Sequence, residues 1–216
     1  MKKLSIAAVL AVITLVIGFT VAIAATPAPR TTPSKAVETE LMDAENMAEH
    51  FAKAREAYLK KEYKESAVEI RKVEAYLRTE ATHADATSRK ELTSAAVELQ
   101  EIAKKAEKGT IKTDKEFDQD FARAHYAMSR YHRTKASTYM TKKEPANAGR
   151  ELKLSAAHLE KALKVMGRET ETDVVNGANI VADKLVAGAK WTDKEVKDAF
   201  NNMDNKLDQI GKDLLK

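Results

Sequence analysis

Five histidines, His50, His83, His125, His132 and His158, are the residues of this chain with the widest chemical reach. A neutral imidazole can hold a metal or move a proton near neutral pH, and the groups set around it decide which. His125 and His132 are seven residues apart, so on a helix they share a face with Phe121, Met128 and Tyr139. Carboxylates facing them from another helix would complete a metal site, and Glu69 and Glu151 lie on the flank of the apolar stripe that precedes them in each half of the chain. The candidate metal ligands are therefore His50, His132, Glu69, Glu151 and His125. A plainer expectation stands beside this one, in which His50 and His132 sit at the edge of a core and bond to a glutamate or a carbonyl.

Other spacings carry less. Glu80-x-x-His83 has the spacing of a di-iron bundle ligand pair, but that site needs a second such pair and two more glutamates. The positions matching Glu80 and His83 one repeat later hold Ala162 and Val165. Haem held by His and Met would need a wide apolar pocket, which alanine-rich stripes disfavour. No G-x-S-x-G, H-E-x-x-H or glycine-rich phosphate loop occurs, and no catalytic nucleophile is nominated. With Cys 0, the sequence has no disulfides, thiolate metal sites or cysteine nucleophile. Tyr126, Tyr131, Tyr139 and Met140 gather near the end of one helical stretch. They would form either a groove for a partner helix or unfolded chain, or the closure of a core beneath Lys142.

A repeat positions these groups. His50–Ala81 and His132–Leu163 align without a gap at an offset of 82, with identities at His50/His132, Lys53/Lys135, Ala54/Ala136, Glu69/Glu151, Ala75/Ala157 and Leu77/Leu159. The turn Lys60-Lys61-Glu62 returns as Lys142-Lys143-Glu144, and Thr113-Asp114-Lys115-Glu116 returns as Thr192-Asp193-Lys194-Glu195. The chain is expected to be an internal duplication, with halves of about residues 35–112 and 113–216.

Composition names the fold class. Only 7 Gly and 4 Pro occur in 216 residues, 32% of the chain is charged, and Ala, Lys, Glu and Leu are abundant. That is a helical composition. Apolar residues recur at steps of three and four, as in Val37, Leu41, Ala44, Met47, Phe51 and Ala54, and again in Val196, Phe200, Met203, Leu207, Ile210 and Leu214. No stretch alternates with period two. The expectation is all-α: an antiparallel bundle of five to seven helices, the number depending on whether Thr82–Ser88 and Gly167–Thr172 are breaks or kinks. Capping boxes are expected at Ser88-x-x-Glu91, Thr113-x-x-Glu116 and Thr192-x-x-Glu195.

Residues 1–24 read as a signal peptide: Lys2-Lys3, an apolar run, then Ala22-Ile23-Ala24 as the cleavage site. An uncleaved anchor is the alternative, since Leu4 to Ala25 is long enough to span a bilayer. Residues 25–34, rich in Pro and Thr, read as a disordered linker, and residues 35–216 as the bundle. The formal net charge is +4, falling to about +2 without Lys2 and Lys3, and the charges are interspersed. A nucleic-acid binder carries a basic stripe, and none is visible.

The hairpin resembles a single tetratricopeptide unit, with Ala54, Ala57, Tyr63, Ser66, Ile70 and Val73 at its packing positions. Lys61 or Lys143 stands where that repeat has glycine, and the 82-residue offset departs from its period of about 34. Ala54-Arg55-x-Ala57, the turn, and Ala75-x-Leu77 also resemble the hairpin of YfdX-like exported all-helical bacterial proteins, with Pro145 at a fitting turn position. That resemblance implies a periplasmic, stress-associated, non-catalytic protein. The expected function is thus a non-catalytic periplasmic bundle that binds a partner protein or unfolded chains in envelope stress, or self-associates. It would use no cofactor, bind no nucleic acid and keep no membrane span once the signal is cut. The alternative is a metal or small-ligand carrier using the histidines of the repeated hairpins.

Overall fold

The structure, a computed structural model, describes residues 35–214, with side chains from residue 44 onward. The expected signal peptide, the linker and the stripe positions Val37 and Leu41 lie outside the described residues or side chains. Seven helices follow one another: α1 (Lys35–Leu59), α2 (Tyr63–His83), α3 (Ala86–Glu107), α4 (Asp114–Thr141), α5 (Pro145–Val165), α6 (Asp173–Ala187) and α7 (Asp193–Leu214). Among the described residues there is no strand. The all-α bundle is as expected, and both uncertain joints are true breaks.

The joints show why. Between α2 and α3 the chain turns extended at Ala84, and Asp85 caps α3 by accepting from the backbone N–H groups of Thr87 and Ser88 at 2.9 and 3.1 Å. The cap is Asp85, where Ser88 was expected; Ser88 itself is buried within the helix. At Thr192 the full capping box forms. Glu195 accepts from the Thr192 N–H at 2.8 Å, and the Glu195 N–H donates to the Thr192 hydroxyl at 3.2 Å. The box does not close at Thr113: Glu116 accepts from the N–H of Lys112, one residue before the cap, and the Thr113 hydroxyl makes no cap bond.

The two Lys-Lys-Glu turns close alike. Lys61 and Lys143 adopt left-handed φ of 64° and 60°. In each turn the following glutamate N–H reaches back to a carbonyl at 2.9 Å, from Glu62 to Ala57 and from Glu144 to Tyr139. This is the six-to-one bond of a Schellman cap, built on lysine at the place that favours glycine. The short turns send each helix back along its predecessor.

Two apolar cores result. One joins α1, α2, α3 and part of α4 through Phe51, Ile70, Leu77, Leu92, Leu99 and Phe121. The other joins α4 to α7 through Leu152, Leu159, Leu163, Leu185, Met203 and Leu207. Helix α4 supplies both, from opposite faces. Helix α1 also meets α5, and α4 meets α7, which ties the first and last described helices into the bundle. At the α5–α6 crossing Gly149 lets the backbones approach so closely that a Cβ there would stand 2.7 Å from the Ala182 carbonyl oxygen.

Candidate functional site

The α4–α5 interface carries most of the buried polar chemistry. As α4 advances through His125, Ser129 and His132, α5 runs back through His158, Ser155 and Glu151, so each polar side chain meets a partner. That descending order is the register of an antiparallel pair. The Ser129 hydroxyl donates to the Ser155 carbonyl at 2.7 Å and the Ser155 hydroxyl to the Ser129 carbonyl at 2.8 Å. This reciprocal clip satisfies two buried hydroxyls.

His132 Nδ1 lies 2.7 Å from Glu151 Oε2, and Lys135 Nζ lies 2.7 Å from the other carboxylate oxygen. Burial alone would raise the Glu151 pKa, but the bonds from His132 and Lys135 hold it below the usual carboxylate value. The first hairpin repeats the pair between α1 and α2, with His50 Nδ1 2.6 Å from Glu69 Oε2. Here the extra cation is Lys72, one turn along α2 from Glu69, and Glu69 is likewise held low against its own burial. The two sites differ in access. The His50 side chain is 31% exposed and borders a pocket of about 200 Å³ with Asn46, Lys72 and Tyr76, while the His132 side chain is 4% exposed. The aligned position of Tyr76 is His158, whose ring stacks on His132 at 5.6 Å.

His125, expected on one face with His132, is on that face but not beside it. His158 lies between them. Its Nδ1 is 3.1 Å from His125 Nδ1, and neither ring's Nε2 has a partner. Burial drives the pKa of His125 down to about 3 and that of His158 well below its ordinary value, so both rings are neutral. Two neutral rings bonded through Nδ1 have a fixed proton count. Whichever ring donates, the other carries its proton on Nε2, so one unpaired N–H is left in the interior.

The five sequence candidates thus separate into two His–Glu pairs and one member of a His–His pair. Among the described residues no group of three or more His, Cys, Asp or Glu is placed to hold a metal ion. Glu80 lies near enough to Tyr131 for its charge to act on it, and the Tyr131 pKa is pushed up to about 12 mainly by burial. The tyrosine cluster divides. Tyr131 belongs to the first core, and Tyr126 and Met140 pack on the second.

A further depression was not nominated from the sequence. It is a groove of about 580 Å³ where α1 lies along α4 and α5. Ala52, Leu59 and Val165 line it, the buried Phe51, Phe121 and His125 lie behind them, and Arg55, Glu56, Asp118, Lys161, Lys164 and Glu169 bring charges of both signs. Phe51 and Phe121 stack at 3.8 Å, and His125 meets Phe51 edge to face at 5.6 Å. Leu59, 67% exposed, projects at the α1 end. The groove escaped notice because its walls come from segments some seventy and forty residues apart, whose meeting is a matter of packing.

The chain matches no family model, no curated protein and no solved structure. Among the described residues no helix is long and apolar enough to cross a membrane.

Proposed function

We propose that this is a non-catalytic binding protein of the bacterial periplasm, which takes an apolar segment of a partner protein or an unfolded chain into the groove between α1, α4 and α5. The observation that carries the reading is the groove itself. Its accessible apolar side chains are Ala48, Ala52, Leu59 and Val165, with Phe51 and Phe121 buried beneath them. A concave site of about 580 Å³ with apolar side chains and a few charged groups around it falls in the size range of ligand-binding clefts. The His–Glu pairs support the same reading, because Glu69 and Glu151 are each engaged by an imidazole and a lysine and act as internal ties.

Export rests on the signal-like residues 1–24, and a role in envelope stress rests on the resemblance to YfdX-like proteins. The duplicated origin of the hairpins is supported by the matching Lys61 and Lys143 turns and the matching His–Glu pairs.

The test is suppression of aggregation of a chemically unfolded client on dilution, comparing the chain with Ala52→Glu. Ala52 is exposed on the groove wall, so the substitution adds a charge without touching either core. The native chain slows aggregation and the variant does not. Equal behaviour of the two would remove the groove from the function.

A further inference from the structure

We infer that α1 is a cover released by acid: a fall in pH lifts it from α4 and α5 and uncovers the aromatic wall beneath it. The use made of the opening rests on the binding role proposed above, and the opening itself does not.

The device is the histidine pair under α1. His125 and His158 are both 0% exposed, and their Nδ1 atoms, 3.1 Å apart, have room for one bridging proton. Two imidazolium rings would turn two N–H groups on each other there. Each Nε2 would also carry an N–H in an interior where it has no partner. Only hydration can hold both charges. The closed pair therefore refuses protons that the hydrated rings of an open form accept, and acid favours opening.

The surrounding charges do not offset this. Lys161 of α5 acts against a charge on either ring, and His132 of α4, stacked on His158, does so when protonated. Among the described residues no carboxylate acts on the pair. Glu151 is engaged by His132 and Lys135, Asp118 by Arg55 of α1, Glu56 of α1 by Lys60, and Glu45 of α1 by Lys161. Lys164 and Glu169 are exposed at the end of the groove. On α3, Glu98 and Glu91 are held by Arg123 and Arg130; on α7, Asp204 and Asp208 are held by Arg133 and Arg130. Glu80 of α2 acts on Tyr131.

Helix α1 is the element that yields. Its Phe51 covers His125 edge to face at 5.6 Å, beneath the groove where α1 lies along α4 and α5. Its ion pairs to those helices, Arg55–Asp118 and Glu45–Lys161, are partly open to solvent and so weak. The α4–α5 pair is fastened more firmly, by the buried Ser129–Ser155 clip and by Glu151. Toward α2 the tie holds, because a proton on His50 strengthens its bond to Glu69. Opening uncovers Phe51 and Phe121, which are 3% and 1% exposed in the closed form.

The experiment is hydrogen–deuterium exchange of the full chain at pH 7.5, 6 and 5, each rate divided by its intrinsic value. Residues 44–59 of α1 should lose protection by up to about a hundredfold per pH unit below pH 6, tenfold for each ring. At pH 5 they should exchange about tenfold or more ahead of α7, which reports unfolding of the whole bundle. The double variant His125→Leu, His158→Leu should abolish the pH dependence. If it does not fold, His125→Gln leaves one ring and about tenfold per unit. Equal protection of α1 and α7 at every pH would overturn the inference, as would an unchanged slope in the variants. Suppression of client aggregation at pH 7.5 and 5 tests the use separately. An opened α1 with no gain in client holding would remove the binding role and leave the acid release standing.

Discussion

His125 and His158 face each other through their Nδ1 atoms at 3.1 Å, in a part of the interior that solvent does not reach. Both are held neutral by burial, with folded pKa values below the ordinary 6.5. A depressed value contributes stability that is present above the unfolded pKa and lost as pH falls. Below about pH 6.5 the unfolded chain takes up protons that the native state refuses, at about 1.4 kcal/mol per pH unit for each ring. Urea unfolding between pH 7.5 and 4.5 should show this decline, and the double variant His125→Leu, His158→Leu should flatten it. A native chain whose stability is level across that window would show that the rings titrate freely.

The two His–Glu pairs should differ in strength. Glu151→Gln leaves His132 and Lys135 beside a neutral amide in a buried setting, and is expected to cost about 3 kcal/mol. Glu69→Gln acts where His50 and Lys72 are partly solvated, and about 1 kcal/mol is expected. Chemical denaturation of the two variants measures the difference directly. Equal losses would mean that exposure of the histidine does not set the strength of the pair.

Asp120 reverses the usual sign for a carboxylate. Burial, reinforced by the charge of Glu98, raises its pKa to about 6. A raised value contributes stability that is full below the unfolded pKa of 3.8 and is lost as pH rises through about 6. At pH 7.5 the ionised group therefore opposes folding. Asp120→Asn should stabilise by about 1 kcal/mol at that pH, with the gain vanishing below about pH 4. Thermal melts at the two pH values provide the check.

Backbone geometry gives two opposite predictions. Lys61→Gly and Lys143→Gly should each stabilise by about 0.5–1 kcal/mol, because a left-handed lysine is strained and part of that relief survives glycine's larger unfolded entropy. Gly149→Ala should cost about 2 kcal/mol, since the new methyl would meet the Ala182 carbonyl and the Leu185 side chain. Melting curves of the three variants decide both points.

The elements were legible because each leaves a local mark. Periodicity gave the helices, and the Lys-Lys-Glu, Thr-Asp-Lys-Glu and glycine positions gave their ends. Asp85 was passed over for Ser88 because both are capping residues within one polar run, and only the backbone direction at Ala84 separates them. His158 was the avoidable omission. Once His132 is set opposite Glu151, stepping seven residues back along α4 and seven forward along α5 brings His125 to His158. The groove was not avoidable in the same way, because neither α1 nor α5 carries a local sign of the other.

The account stands on the groove, and hydrogen–deuterium exchange in the presence of an unfolded client tests it most directly. Binding there should slow exchange in three stretches, residues 48–59 of α1, 118–125 of α4 and 161–169 at the end of α5. Exchange in α3 and α6, which do not line the groove, should be unchanged. Protection confined to α3 or α6, or none in any helix at saturating client, would contradict it.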